Sequence, residues 1–180
     1  GGQYFLNKSY YSGENYDTPE NLRLGEGDKY QYHYKALVQR ANVFGQLRFK
    51  YGSALFYVAG RFQHTDYERE GLFANNAVYN DAKGKSGMKY FNTLSTKAGL
   101  TYSINGRHIL QFNTGYFEEA QPLNNIFVNI RNSNSLLPSK LSPETQITAD
   151  GSYIVRMPYV KARLTGYVTK FENATEKSYF

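Results

Sequence analysis

The stretch from Ser152 to Glu172, SYIVRMPYVKARLTGYVTKFE, decides how the rest of the chain is read. It divides into two strands about Met157-Pro158. Along the second strand, Val160, Ala162, Leu164, Gly166 and Val168 alternate with Lys161, Arg163, Thr165, Tyr167 and Thr169. In a β-strand successive side chains point to opposite faces, so one face is apolar and the other basic and polar. Against a soluble core the apolar face lies inward; against lipid it lies outward and the polar face lines a lumen.

The same alternation recurs upstream. From Val43 one face carries Val43, Gly45, Leu47, Phe49 and Tyr51, and the other Gln46, Arg48 and Lys50. After a two-residue turn at Gly52-Ser53, the return strand sets Ala54, Phe56, Val58, Gly60 and Phe62 against Tyr57, Arg61, Gln63 and Thr65, as an antiparallel hairpin requires. A second hairpin carries Leu94, Thr96, Ala98, Leu100 and Tyr102, turns through Ile104 to Arg107, and returns with Leu110, Phe112, Thr114 and Tyr116. Its Asn105-Gly106 pair is a strong hairpin signal. The third hairpin enters with Ile147, Ala149, Gly151, Tyr153 and Val155, opposed by Thr148, Asp150, Ser152 and Arg156, and leaves through the stretch quoted above.

Between the hairpins the period disappears. Residues 66–92 and 118–146 are rich in Gly, Asn, charge and aromatics and read as long loops. The first forty or so residues also lack a sustained period and read as a loop, with YKALVQRANVF as the approach to a strand. The short turns therefore lie at one end of the sheet and the long connections at the other, the sorting seen in membrane barrels. Nearly every charge within the strands (Arg48, Lys50, Arg61, Lys97, Asp150, Arg156, Lys161 and Arg163) falls on the non-apolar parity. The exceptions, His64, His108, Glu118 and Lys170, fall near strand ends, where a charge at a membrane interface costs little. Tyr51, Tyr102 and Tyr116 occupy the apolar parity near strand ends, as an aromatic girdle would.

Composition agrees with strands. Tyr 18 and Phe 12 in 180 residues, with no Trp and no Cys, favour β structure and leave out disulfide and thiolate-metal chemistry. The formal charge of +6 is spread along the chain rather than clustered, so nucleic acid is not an expected partner. No run approaches the roughly 20 apolar residues of a spanning helix. The opening GGQYFLNKSYYSGENY lacks a signal-peptide pattern, so an export signal is expected outside these residues.

The reading is an all-β, antiparallel, up-and-down transmembrane β-barrel segment of about six strands in three hairpins. Single-chain bacterial barrels begin at about eight strands, so the barrel is incomplete and these residues are expected to be a piece of a larger one. Residues 1–40 are assigned to an extracellular loop and strand approach, and 41–180 to the partial barrel. The small Gly, Ala and Thr residues on the apolar faces would leave a sandwich core underfilled; lipid fills such gaps readily.

From about Tyr30 onward the chain resembles the barrel of TonB-dependent outer-membrane receptors, especially the large Bacteroidota-type ones. The residues that carry the resemblance are KAGLTYSINGRHILQFNTGYFEEAQPLNNIFVN, LSPET before a strand, and DGSYIVRMPYVKARLTGYVTKF. Members share a strand, a short periplasmic turn, a Gly-Tyr-ended return strand, a Pro-containing extracellular loop and a Leu-x-Pro-Glu segment, matched here by Leu141 to Glu144. They often place a basic residue before the loop proline and a Glu in the following strand, where this chain has Gln121 and Asp150. The resemblance implies an outer-membrane location in a Gram-negative cell and import of a nutrient ligand of unspecified kind: siderophore, glycan, peptide or cobalamin-like. The implied partners are outer-membrane lipid, TonB acting through a plug domain not present in these residues, and a surface lipoprotein.

No catalytic or cofactor-binding constellation is present: GxSxG, HExxH and Walker motifs are absent, and His33, His64 and His108 are not spaced as a metal triad. An enzyme is not expected. Glu14, Asp17, Glu20, Glu26 and Asp28 offer oxygen donors but do not match an EF-hand, and GEGDKYQY lacks the strand-turn-helix context of a phosphate loop. No metal site is assigned. The loop aromatics Tyr67, Phe73, Tyr79, Phe91 and Phe127 are candidates for stacking on a ligand, or for packing the loops on one another. The polar residues expected to face the lumen are Arg48, Lys50, Arg61, Lys97, Asp150, Lys161 and Arg163. Two other functions fit parts of the pattern: a passive porin or barrel adhesin with the same wall and no plug, and a soluble β-sandwich binding module.

Overall fold

The computed structural model describes residues 1–14, 29–74, 81–137 and 141–174. They form one antiparallel sheet of β1 (Gly2–Glu14), β2 (Lys29–Tyr51), β3 (Ala54–Ala74), β4 (Gly84–Lys85), β5 (Lys89–Ser103), β6 (His108–Glu119), β7 (Glu144–Arg156) and β8 (Lys161–Glu172). The order is β1-β2-β3-β5-β6-β7-β8, with the two-residue β4 on β3. Each long strand thus pairs with its neighbour in sequence, and β1 and β8 remain as open edges. Among the described residues the only helix is a single 3-10 turn, Leu123–Asn125, and no helix is long and apolar enough to cross a membrane.

The hairpins expected around the three short turns are present. Gly52 opens the first turn with φ 56°, the left-handed conformation glycine adopts without strain. In the second, Asn105 Oδ1 accepts from the amides of Arg107 and His108 at 2.9 and 2.9 Å, a side-chain turn of the kind Asn favours. The third closes through Met157 N–H to the Val160 carbonyl at 2.7 Å.

Two expected loops are strands instead. Within the first forty residues, β1 pairs with β2 from Gly2↔Val43 to Ser12↔His33. The long stretch after Thr65 is β3 up to Ala74, and β5 begins at Lys89. That makes seven long strands rather than about six. In β1, Tyr4, Leu6, Lys8 and Tyr10 share one face and Gln3, Phe5, Asn7, Ser9 and Tyr11 the other; both are mixed, so alternation gives no contrast. Here the strand rests on its main-chain ladder to β2.

The register gives the sheet a slant. A single row of paired residues runs Tyr51, Ala54, Tyr102, Leu110, Tyr153 and Leu164. On that row the paired residues enclose two residues at the first turn, seven at the second and ten at the third. The turn tips therefore recede by about one residue per strand. With roughly 3.3 Å per residue and 4.8 Å between strands, a sheet whose turns share one plane has strands tilted by about 35°.

Burial runs opposite to hydropathy. On β3, Gln63, Thr65, Tyr67, Arg69 and Gly71 are buried, as are Phe91, Thr93 and Ser95 on β5, and the register places all eight on one face. The opposite face leaves Leu47 69%, Phe49 56%, Leu94 50% and Leu164 76% exposed. What covers the loop half of the polar face is the connection 120–137, whose Ile126 and Phe127 pack on Tyr67 and Phe91 as a small core, together with 81–87; the turn half, with Arg48, Lys50, Lys97 and Lys161, is exposed. Gly71 makes room for that second segment: a Cβ there would collide with the Ala82 carbonyl.

Candidate functional site

The seven residues expected to line a lumen (Arg48, Lys50, Arg61, Lys97, Asp150, Lys161 and Arg163) all lie on the polar face by register. Several are tied to neighbouring strands. Arg61 forms an ion pair with Glu119 and reaches Ser95 Oγ at 3.4 Å. Asp150 accepts from Asn113 Nδ2 at 2.9 Å, and Tyr57 donates to Asn113 Oδ1 at 3.0 Å. Arg163 donates to Ser152 Oγ at 2.9 Å and Thr165 Oγ1 at 3.1 Å. These ladders hold the polar face as a layer of fixed donors and acceptors with a basic excess toward the turns.

The opposite face carries no charge between its ends. Five alternate positions on β2 (Tyr51 to Val43), β3 (Ala54 to Phe62) and β5 (Tyr102 to Leu94) are free of charge, as are five on β7 and four each on β6 and β8. The ionisable groups that bound this belt have partners. His64 Nδ1 meets Asn92 Oδ1 at 2.6 Å, and Nε2 lies 3.1 Å from Asp66. His108 Nδ1 is 2.6 Å from the Tyr153 hydroxyl, with the two rings stacked. Glu118 accepts from Tyr116 at 2.5 Å and from the Leu94 amide at 2.9 Å. Lys170 pairs with Glu172 at 2.5 Å. At the loop end Lys35 pairs with Glu70, and Lys85 with Glu68 at 3.0 Å.

The loop end of the polar face is organised by Arg69, which the expectations above did not include. Its side chain is fully buried and donates to the carbonyls of Ile130 (2.6 Å), Ala82 (3.0 Å) and Arg131 (2.9 Å) and to Asn134 Oδ1. The guanidinium also lies 5.0 Å over the Tyr34 ring. Burial holds its pKa below the ordinary arginine value. Asp81 supports the same loops by accepting from Ser133 Oγ at 2.8 Å and Ser135 Oγ at 2.6 Å, which lowers its pKa, the Ser135 hydrogen bond being the largest cause.

Of the five loop aromatics, Tyr67, Phe91 and Phe127 meet in the buried core beneath 120–137, with Tyr67 and Phe91 edge to face at 6.1 Å, which leaves none of the three open to solvent. Phe73 is exposed near the end of β3, and Tyr79 lies outside the described residues. Asp17, Glu20, Glu26 and Asp28, most of GEGDKYQY, and the side chain of Glu14 also lie outside the described part. Among the described residues no group of His, Asp and Glu could hold a metal ion.

A different aromatic group lies at the loop end, with Tyr11 exposed, Tyr32 half-buried and Tyr34 buried. Tyr11, Tyr32 and Tyr34, with Asn124, Asn129 and Arg131, line a cleft of about 610 Å³. Tyr11 stacks on Tyr34 with ring centroids 5.1 Å apart and planes 16° apart, Tyr32 lies 6.0 Å from Tyr34, and Arg131 sits 5.5 Å over Tyr32. The Tyr34 hydroxyl is pushed up to about 12 by burial first and by Tyr11 and Tyr32 next, so it remains a protonated donor. The sequence signal is QYHY at the start of β2, where alternate tyrosines share a face; it has no meaning in a loop, which has no fixed faces.

Comparison with protein-family models, with curated proteins and with solved structures returned no match.

Proposed function

We propose that this chain forms part of the wall of an outer-membrane β-barrel of the TonB-dependent receptor type, which takes up a large nutrient ligand. One observation carries the membrane part of this reading: the exposed face of the sheet is a charge-free apolar belt crossing six consecutive strands, while the charges sit on the opposite face. Monomeric soluble proteins rarely leave a contiguous apolar face across six strands open to water. Five alternate positions extend about 27 Å along a strand, or about 22 Å across a membrane at a tilt of 35°, close to the roughly 25 Å apolar band of such barrels.

The partition also has the right energetic sense. Lipid accepts Leu, Val, Phe, Gly and Ala side by side without demanding the close packing of a protein core. Basic side chains on the other face stay in water or pair across strands. In hydrocarbon an open sheet edge cannot persist, so β1 and β8 would be joined by further strands, or in vesicles of this chain alone by the edges of other copies. The receptor type rests on the sequence resemblance, and energy coupling to TonB would belong to a plug outside these residues.

Flotation with phospholipid vesicles tests the reading. After refolding in their presence the chain should rise with the vesicles and keep its β spectrum. A β-rich chain that stays monomeric at the bottom of the gradient would overturn it.

A further inference from the structure

The three short turns carry cations and no anion. Lys50 precedes the first, Arg107 closes the second, and Arg156 and Lys161 flank the third. Among the described residues Asp150 supplies the only carboxylate in this half of the sheet, and it accepts from Asn113 Nδ2 at 2.9 Å. The ion pairs formed by the described residues all lie farther toward the loops. Three of the turn cations come together. Arg156 and Lys161 are directly opposed across the third hairpin, and the Arg156 amide donates to the Arg107 carbonyl at 2.8 Å. Directly opposed residues have Cβ atoms about 5 Å apart, a spacing at which like charges repel. All three side chains are exposed, and among the described residues none of them meets a carboxylate. An anion that bridges such a cluster relieves the repulsion, and two guanidiniums with an ammonium match the oxygens of a phosphate.

The surroundings select a lipid headgroup as the source of that phosphate. The cluster lies just past the turn-side end of the apolar belt, and the turn tips beside it expose Ile104, Met157 and Tyr159, the last at 99%. A tyrosine at the end of an apolar belt sits at headgroup level. Long basic side chains on the last rung reach the same level by extending past the rim. A free phosphate would engage the cations and leave the apolar tips in water, whereas a lipid headgroup meets both. Because the cluster has no internal counter-charge, a headgroup of net negative charge suits it better than a zwitterionic one.

We infer that Arg107, Arg156 and Lys161 bind the headgroup phosphate of an anionic phospholipid in the leaflet that the turns enter. This rests on the membrane reading and adds to it a headgroup class and a side. The chain has no tryptophan, so Tyr159→Trp places a single reporter at the turns and Leu94→Trp one at the loop end of the belt. The test is quenching of each reporter by brominated phosphatidylglycerol against brominated phosphatidylcholine, in mixed vesicles holding the refolded chain. Trp at 159 should favour phosphatidylglycerol by at least about fivefold, the scale of one cation near an anionic surface, and Trp at 94 should show no preference. Combining Arg107→Gln, Arg156→Gln and Lys161→Gln should abolish the preference at 159. Lys161→Gln alone should lower it, which keeps the test independent of whether the triple variant folds, and folding is read from the β spectrum. Equal quenching by the two lipids at 159, the same preference at 94, or a preference untouched by the substitutions in folded chain would each overturn the inference. So would its removal by inorganic phosphate at constant ionic strength, which would assign the cluster to the free anion. A chain that floats with phosphatidylcholine vesicles and shows no headgroup preference loses this site alone, whereas failure to float removes the membrane reading as well.

Discussion

At the scale of single residues, Arg69 and Asp81 decide whether the long connections lie on the sheet. Replacing Arg69 with Met would leave the buried Ala82 carbonyl without this donor, at roughly 1–3 kcal/mol, and would release the half-buried bonds to the Ile130 and Arg131 carbonyls. The expected outcome is rapid proteolysis within 120–137 with the hairpins still protected, read by limited digestion and mass spectrometry. Asp81 adds a pH dependence. Its pKa is lower in the folded chain than in the unfolded one, so its contribution is fully present above the unfolded value of about 4 and is withdrawn as pH falls through the folded value. Amide exchange in 131–137 should therefore show reduced protection once pH falls below about 4, and Asp81→Asn should show that reduced protection already at neutral pH. Protection in the variant equal to that of the parent chain at neutral pH would contradict the role given to the carboxylate.

At the scale of the strand, parity is the variable that matters. Leu164 and Thr165 are neighbours on β8, both exposed, at nearly the same height above the turn and on opposite faces. Leu164→Arg should cost about 2–4 kcal/mol of membrane-embedded stability, whereas Thr165→Arg should cost much less, measured by denaturant unfolding from vesicles. Equal costs would mean that both faces meet the same medium. The same parity explains how much could be read in advance. Where the two faces differ in chemistry, as from Val43 to Phe62 or from Ile147 to Val168, residue identity alone marked strands, turns and the charged face. Where they do not, as in Gly2 to Tyr11 or in β3 beyond Asp66, main-chain pairing makes the strand and no side-chain pattern reports it. Arg69 lay in that blind stretch although it continues the Gln63, Thr65, Tyr67 series. The fate of Tyr67, Phe91 and Phe127 depended on contacts between segments far apart in sequence, which periodicity does not carry.

At the scale of the whole molecule, the sheet has a hydropathic inside-out arrangement, with its core on the polar face under the loops and its apolar face open. The sheet is open, and its register slips about one residue per strand, which tilts the strands by about 35° where the turns share one plane. The central claim is that the open face meets acyl chains. The chain contains no cysteine, so single Cys residues can carry a nitroxide at Leu47, Val58 or Leu164 on the apolar face and at Arg48, Ala59 or Thr165 on the other. In bilayers, collision with oxygen, which partitions into lipid, should dominate at the first three sites, and collision with a water-soluble nickel chelate at the second three. Nickel accessibility at Leu47, Val58 and Leu164, or protection of all six sites from both agents, would contradict the account.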